Sequence, residues 1–479
     1  MNENLLTKFL KLMSSKITDS DLELTNLGNA LGLDLVSFAD LRASQEDVFV
    51  DEVRDKALEK METEKDNVLK KIDSFYTGSI DFMVSDEPEG KRFFLLETNG
   101  GSHRGLSILT LKQQSLLYNG YFEAITQALR RNTKKNKKVF VLIGVPINDG
   151  LIHEKVIMIE YLRKKFKNNG YTVKIFNTDN YDKLFKAEIV FLIADYRHLS
   201  TTLSFSNNWI KYKEEKINVL IGDGITRRLK DQKFLKIIRE DFRKIKSIIV
   251  NPIFKVTDDK SLTYLASFFS KNLLKKYNLR YLLFTKAFSE KELIEKLEYL
   301  IKSYRRSFII KPSGGSGGAG VMPVSKEEDS ISIKKIVDES KNEFFAKFMK
   351  DRDPYPYTIQ EMADFSLINW REGKHTFDLR IYLTQREGKI VPVGGLARIA
   401  RGEYCGSLNK QEFVVNLSGY NGQVEVDRGI GFSEDNCKLL NLTKEDFVNM
   451  FCIGCVLFTS IVKNYSKIIN FSDWSKIID

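Results

Sequence analysis

Residues 307–322 read Ser-Phe-Ile-Ile-Lys-Pro-Ser-Gly-Gly-Ser-Gly-Gly-Ala-Gly-Val-Met, an apolar strand followed by a lysine, a glycine-rich turn and the start of a return strand. Glycines lack a Cβ, so their N–H groups can approach a polyphosphate closely, and Lys311 adds a positive charge beside them. The stretch therefore predicts a nucleotide site closed by a flap. The predicted flap contacts are Gly315, Ser316, Gly317 and Gly318.

Other glycine-rich motifs fit this stretch less well. A dinucleotide-binding turn would follow its strand directly and open a helix, whereas the residues from Val321 onward are strand-like. A P-loop needs Gly-Lys-Ser/Thr at its end, and none follows Gly320. A protein kinase places its lysine on the strand after the glycines, and the sequence has no His-Arg-Asp or Asp-Phe-Gly triplet. A glycine-rich surface loop without a ligand is the remaining alternative.

Composition narrows the class of protein. The 479 residues allow roughly three domains, and the 42% hydrophobic content suits a protein with a packed core. The net charge of +11 suggests an anionic ligand or a nucleic acid, but the lysines alternate with glutamates on amphipathic segments, which favours solvated helix surfaces. The longest apolar run, 451–462, is too short to span a bilayer, and four cysteines are too few for a disulfide framework. We expect a cytoplasmic enzyme without nucleic-acid or membrane partners.

A second informative place is a predicted hairpin. Asp81 lies on its first strand, and Glu97 and Asn99 lie two residues apart on the second, so these two project from one face. Side-chain oxygens of these three residues would suit Mg²⁺, so the hairpin is a candidate metal site. The alternative is that these side chains form a polar sheet edge that faces water. In the loop that follows, Arg104 is a candidate ligand for a carboxylate or phosphate, ahead of His103.

The order of the patterns predicts four segments. Apolar residues at helical spacing predict helices in the first segment, and strands that alternate with helices predict a parallel sheet in the third. Strands are predicted over 344–348, which contains Lys347, over 357–362, over 375–383 with Asp378 and Arg380, and over 389–400 with Arg398. The predicted segments are helices at 1–57, the metal-binding hairpin and a helix at 58–135, a Rossmann-like substrate domain at 136–255, and the nucleotide-binding subdomains at 256–479.

Together these motifs resemble the ATP-grasp superfamily of carboxylate–amine ligases. The Lys-Pro-glycine flap, Ile359-Gln-Glu361, Asp378-Leu-Arg380, Arg398 and Asn416 occur in the family's order. The family's final Asp strand and Glu-x-Asn strand are missing after Asn416 and appear instead at Asp81, Glu97 and Asn99. This order resembles the circularly permuted members, which include the synthetase half of glutathionylspermidine synthase, although the loop after Asn99 differs and no amidase-like domain is present.

The resemblance implies a fold and a set of roles. The fold would be a circularly permuted ATP-grasp fold, α/β and α+β, with a Rossmann-like parallel-sheet domain and an N-terminal helical segment. ATP and Mg²⁺ would be used to join a small-molecule acid (an amino acid or peptide) to an amine (an amino acid, peptide or polyamine) through an acyl phosphate, and a homodimer is left open. A kinase on the same scaffold and a catalytically silent ATP-binding protein are the alternatives. The implied ATP contacts are Lys260, Lys311, the flap, Lys347, Gln360, Glu361 and Asn416; the metal ligands are Asp81, Glu97 and Asn99; and the catalytic arginines are Arg104, Arg380 and Arg398.

Overall fold

The structure is a computed structural model that describes most of the chain. It covers residues 3–63, 72, 74–101, 104–132, 138–177, 187–315, 318–348, 352–407, 409–413, 415, 417 and 425–474. Ser316, Gly317 and Asn416 of the predicted nucleotide site, and His103, lie outside the described residues.

The N-terminal segment is helical, as predicted. Its first helix is capped by the side chain of Asn4, which accepts a hydrogen bond from Thr7 N at 2.9 Å. Apolar residues at spacings of three and four bury one face of each helix, among them Phe9 and Met13. The helices are α1 (Leu5–Ser14), α2 (Leu24–Leu31), α3 (Val36–Ala43) and α4 (Asp47–Glu62).

The predicted hairpin is confirmed, and it belongs to a large antiparallel sheet. Its strands are β1 (Thr77–Glu87) and β2 (Gly90–Asn99), followed by helix α5 (Leu111–Arg131). β1 pairs on its other side with β16 (Gly373–Arg386), and the strand order is β18-β17-β16-β1-β2. The hairpin therefore lies in one sheet with strands almost 300 residues later in the chain. The remaining strands of this sheet are β15 (Leu367–Trp370), β17 (Lys389–Ile399) and β18 (Gly429–Gly431).

The predicted parallel sheet is also confirmed. Its strand order is β10-β9-β3-β5-β4, and every neighbouring pair is parallel. These strands are rich in Val, Ile and Leu because helices cover the sheet on its faces. A small antiparallel sheet of β6, β7 and β8, which the sequence analysis did not predict, is inserted between β5 and β9. In chain order the elements are β3 (Val139–Val145), α6 (Ile152–Asn168), β4 (Val173–Asn177), β5 (Ile189–Asp195), α7 (Tyr196–Thr202), β6 (Leu203–Ser206), β7 (Trp209–Tyr212), β8 (Glu215–Lys216), β9 (Val219–Ile221), α8 (Asp223–Thr226), α9 (Gln232–Glu240) and β10 (Ile248–Val250).

The glycine-rich stretch lies in a third sheet with the order β11-β14-β12-β13. Lys311 is on β12, and the flap joins β12 to its antiparallel partner β13, as the sequence predicts. The predicted strand at 344–348 is wrong, because Lys347 lies in the last turn of a helix. Buried Ile333, Val337 and Phe344 recur at helical spacing along it. The elements are α10 (Phe254–Thr257), α11 (Lys260–Phe268), α12 (Lys271–Lys276), β11 (Phe284–Ala287), α13 (Glu290–Tyr304), β12 (Phe308–Pro312), β13 (Met322–Val324), α14 (Ser330–Phe348) and β14 (Tyr357–Glu361).

Two helices end the described chain, α15 (Glu434–Leu439) and α16 (Lys444–Ile469). A capping box between Thr443 and Asp446 begins α16. Among the described residues this one helix is long and apolar enough to cross a membrane by length and composition, which the shorter predicted run at 451–462 did not indicate. Because 94% of its most apolar window is buried inside the fold, α16 is a core helix here.

The fold class predicted from the sequence is therefore confirmed. A parallel α/β unit is combined with antiparallel sheets and helices. Strands on either side of the parallel unit in the chain meet in one antiparallel sheet. That pairing brings Asp81 and Glu97, two of the predicted metal ligands, to Arg380 and Arg398, two of the predicted catalytic arginines.

Candidate active site

The register of the large sheet aligns the charged residues across neighbouring strands. Asp81 lies directly opposite Glu97 on β2 and opposite Arg380 on β16. Asp378 lies opposite Arg398 on β17. Because directly opposed residues share a face of a sheet, the hairpin and the two later strands present these groups together.

Two aspartates and two arginines form a buried cluster on that face. Arg380 donates to both oxygens of Asp81, at 2.7 Å and 2.6 Å. Arg398 donates to Asp81 Oδ2 at 2.7 Å and to Asp378 Oδ1 at 2.8 Å. Both carboxylates are 1% exposed. The cluster is balanced in charge and largely shielded from water, so its ion pairs are weakly screened.

Burial and the arginines act in opposite directions on the two carboxylates. Burial raises the pKa of Asp81, but Arg380 and Arg398 outweigh it and hold that pKa well below its usual range. Burial raises the pKa of Asp378 to about 6, against the attraction of Arg398. Asp81 is therefore the ionised anchor on which both guanidinium groups converge.

This geometry bears on the predicted Mg²⁺ ligands. Both oxygens of Asp81 accept hydrogen bonds from arginines, so the carboxylate offers no free oxygen in this arrangement. The Glu97 side chain is 33% exposed and lies 3.3 Å from the Lys260 amine and 3.7 Å from Arg380. Asn99 Nδ2 is buried with no hydrogen-bond partner among the described residues. Glu97 retains carboxylate oxygens of the kind that suit Mg²⁺, whereas an amide nitrogen such as Asn99 Nδ2 does not bind this ion. The described residues contain no group of three His, Cys, Asp or Glu side chains arranged for a metal ion.

Two lysines, Lys260 and Lys311, lie near Glu97 of the hairpin. The Lys311 amine donates to the Tyr264 hydroxyl at 2.9 Å and to Gln360 Oε1 at 2.7 Å. Burial, with a further contribution from the Lys260 charge, lowers the pKa of Lys311 to about 7. The Tyr264 hydroxyl lies 2.6 Å from Leu96 O, so this contact ties Lys311 to the hairpin strand that carries Glu97.

Gln360 and Glu361, two of the predicted ATP contacts, have protein partners in this structure. Gln360 accepts from Lys311, as described above. Glu361 is paired with Arg306, and its carboxylate also accepts from Leu283 N at 3.1 Å. Both lie on β14, which pairs with β12, the strand that carries Lys311.

The described ends of the flap are held by helix α14. Gly320, at a φ of +73°, donates its amide to Glu343 Oε2 at 2.6 Å and accepts from Ser340 Oγ at 2.5 Å. Lys410, from the loop after β17, donates to the same Glu343 oxygen at 2.5 Å. Glu343 therefore links the flap to a loop that follows the large sheet. Burial and the Lys410 charge lower the pKa of Lys347, one turn further along α14.

Arg104 is placed apart from the other two predicted catalytic arginines. Its guanidinium pairs with Asp149, in the loop after β3, and its carbonyl accepts from the Tyr382 hydroxyl at 2.9 Å. The Arg104 side chain is 54% exposed, so it remains reachable from solvent near the carboxyl end of β3, the central strand of the parallel sheet.

Sequence reasoning missed three residues of this region: Tyr264, Glu343 and Lys410. Tyr264 follows helical apolar spacing and resembles a core residue until its hydroxyl is seen between Lys311 and Leu96. Glu343 and Lys410 are ordinary surface types in the sequence, and only their meeting at the flap distinguishes them. No sequence signal available beforehand would have selected them.

Comparison with known proteins adds a distant structural likeness. No family model and no curated protein matches the chain. A structure described as a gamma-glutamylcysteine synthetase of Methylobacillus flagellatus KT is 12% identical with a TM-score of 0.47, covering 89% of this chain and 97% of that one. A glutathione synthetase-like effector of Globodera pallida is 13% identical, with a TM-score of 0.37 over 76% of this chain and 81% of that one. D-alanyl-alanine synthetase A of Vibrio cholerae is 10% identical, with a TM-score of 0.32 over 64% and 79%.

With TM-scores below 0.5, these likenesses carry no weight in assigning a function. The function is therefore inferred from the residues of this chain.

Proposed function

We propose that this protein is an ATP-dependent carboxylate–amine ligase of the circularly permuted ATP-grasp type. One observation supports this most strongly. Lys260, which begins α11, lies 3.3 Å from Glu97 of the hairpin, and Glu97 lies 3.7 Å from Arg380. Lysines that suit phosphates thus meet an acidic metal-ligand candidate and an arginine pair at one place, where phosphoryl-transfer chemistry would need them.

The strand order supports the permutation. The hairpin that carries Asp81, Glu97 and Asn99 precedes the parallel sheet in the chain, yet it pairs with β16, which follows that sheet. A hairpin transferred from the end of the fold to its beginning would keep this pairing and change only the connections.

In the proposed site, Lys260 and Lys311 bind the ATP phosphates, and the flap residues Gly315, Ser316, Gly317 and Gly318 cover them. Lys347, Gln360, Glu361 and Asn416 complete the nucleotide pocket by the resemblance described above. Glu97 and the amide oxygen of Asn99 would hold Mg²⁺, and Asp81 orients Arg380 and Arg398 as their shared anchor. When bound, Mg²⁺ would neutralise negative charge on the phosphate oxygens.

The arginine cluster is suited to negative charge that develops during the reaction. The substrate carboxylate attacks the γ-phosphorus of ATP, ADP leaves, and an acyl phosphate forms; an amine then attacks the acyl carbon, loses a proton and displaces phosphate. Arg380 and Arg398 are already oriented by Asp81 and Asp378, so stabilising the transferring phosphoryl group needs little reorganisation. Arg104, exposed at the end of the parallel sheet, binds the acid substrate's carboxylate.

The substrates are a small-molecule acid and an amine, drawn from amino acids, peptides and polyamines, and the proposed location is the cytoplasm. The test is phosphate release from MgATP against pools of these acids and amines, followed by mass spectrometry of the product. A product whose mass is the sum of acid and amine minus water supports the ligase. A stable phosphorylated product would instead identify a kinase, and nucleotide binding without turnover in any pool would identify a silent binding protein.

A further inference from the structure

A largely buried ion pair lies at the start of helix α11, next to Lys260. Lys286 on β11 is 5% exposed, and its amine lies 2.7 Å from Asp259 Oδ2. No role in the proposed chemistry is assigned to either residue. The last described segment of the chain covers Lys286, because the Trp474 ring lies 4.5 Å from its amine, and the Asp259 side chain is 14% exposed. The Trp474 carbonyl accepts from Thr285 Oγ1 at 3.1 Å and from Lys296 at 2.8 Å, which fixes that segment over the pair.

The two oxygens of Asp259 have different tasks. Oδ1 caps helix α11 by accepting from Ser261 N at 3.0 Å and Leu262 N at 3.3 Å. Oδ2 binds Lys286, as described above. Lys260 is the next residue after this cap and the first residue of the helix. A rotation of the Asp259 side chain would therefore break the cap of α11 next to Lys260.

The Asp259–Lys286 ion pair joins helix α11 to the sheet that contains Lys311. Lys286 lies opposite Thr358 on β14, and Thr358 lies opposite Lys311 on β12, so the three form one row across the sheet. Thr358 Oγ1 is 2.5 Å from Ser261 Oγ in the first turn of α11. The ion pair and this hydroxyl contact thus join the first turn of the helix to the sheet at neighbouring points.

We propose that Asp259 and Lys286 are positioning residues that hold Lys260 in register with Lys311 for binding the nucleotide phosphates. The inference rests on the proposed function, because it assigns these two lysines to one ligand. Replacing a buried ion pair by apolar or neutral groups of similar size is often neutral for stability, so stability alone does not require the pair. Because the ion pair lies between the cap of α11 and the sheet, it can fix the position of the helix relative to the sheet.

The test separates positioning from folding by a double substitution. Asp259→Asn keeps an oxygen that can cap α11 but removes the charge, and Lys286→Met removes the amine while keeping the length of the side chain. Each single variant leaves one buried group without its partner and should lower the midpoint of thermal unfolding. The double variant leaves no unpaired charge, and its midpoint should return towards that of the wild type. Lys291→Met, at a side chain that is 85% exposed, is the control.

Binding of MgADP is then measured by titration calorimetry, without acid or amine. We expect the dissociation constant to rise about tenfold in both single variants and to stay raised in the double variant, with the control unchanged. A double variant with a restored unfolding midpoint and wild-type affinity would overturn the positioning role and leave the pair a stability element. Absence of MgADP binding in the wild type would overturn the proposed function, and the inference with it.

Discussion

The sharpest prediction concerns the charge of Lys311, whose buried amine has a hydroxyl and a carbonyl oxygen as its hydrogen-bond partners. Burial and the nearby Lys260 lower its pKa to about 7. A phosphate group is attracted by the protonated amine, so binding requires the cation. Below this pKa the free protein already carries the charge, and the affinity for MgATP is constant. Above it, each molecule must first take up a proton, and the affinity falls as the pH rises.

The magnitude follows from the pKa. The apparent dissociation constant scales with the inverse of the protonated fraction, so it should rise about fifty-fold between pH 7 and pH 9. At pH 8, binding should take up about 0.9 proton per nucleotide, since roughly that fraction of the free protein holds a neutral Lys311.

Titration calorimetry in buffers of different ionisation enthalpy measures both quantities. Lys311→Arg is the matched variant, because a guanidinium stays protonated throughout this range. Its affinity should be independent of pH between 7 and 9, whatever its absolute value. A flat profile in the wild type, or the same slope in both proteins, would refute the reasoning.

Three further predictions concern the candidate site and the core beside it. Glu97→Gln should reduce MgATP-dependent phosphate release at least about 100-fold while nucleotide binding persists. The control is Glu89→Gln, at an exposed residue of the hairpin turn. Wild-type turnover in Glu97→Gln would exclude a metal-binding role for Glu97. Asp81→Asn leaves the cluster of Asp378, Arg380 and Arg398 with excess positive charge and should lower the free energy of unfolding by about 3–5 kcal/mol in denaturant titrations. A change within experimental error would show that the arginine side chains move to contact water in the variant. Burial lowers the pKa of His153 from 6.5 to about 3, so the unfolded chain binds a proton more readily and stability is lost as the pH falls below 6.5. That loss is about 2 kcal/mol at pH 5 and should be absent in His153→Leu, as acid titrations of unfolding will show.

Much of this fold could be predicted from local patterns. The hairpin turn, the apolar parallel strands and the lysine before the glycines each leave a signature within about ten residues, and the structure has them where they were predicted. Lys347 was assigned to a short strand over 344–348, whereas buried Ile333, Val337 and Phe344 follow a helical period along the 19-residue helix α14. A short window favours the wrong period in such cases.

The partner of Asp81 could not be predicted locally. A carboxylate beside Glu97 suits a metal ion and suits an arginine equally, and the chemistry of the residue does not choose between them. In the folded protein, Arg380 and Arg398 are the partners of Asp81. They lie 299 and 317 positions after it in the chain, so they contact it only once their strands have paired in the sheet. The sequence predicted Asp81, Arg380 and Arg398 as separate site residues, and the structure shows that they contact one another.

The pairing of β1 with β16 also has a consequence for synthesis of the protein. The Asp81–Arg380 contact spans 299 positions of the chain. At roughly 5–20 residues per second, the ribosome adds Arg380 about 15–60 seconds after it adds Asp81. During that time the β1 edge carries unpaired backbone groups, and Asp81 has neither of its cationic partners. The nascent chain thus exposes an unpaired strand edge, at which another chain can pair, for most of its translation. Ribosome pausing between the two strands should prolong that exposure and increase the demand for chaperones.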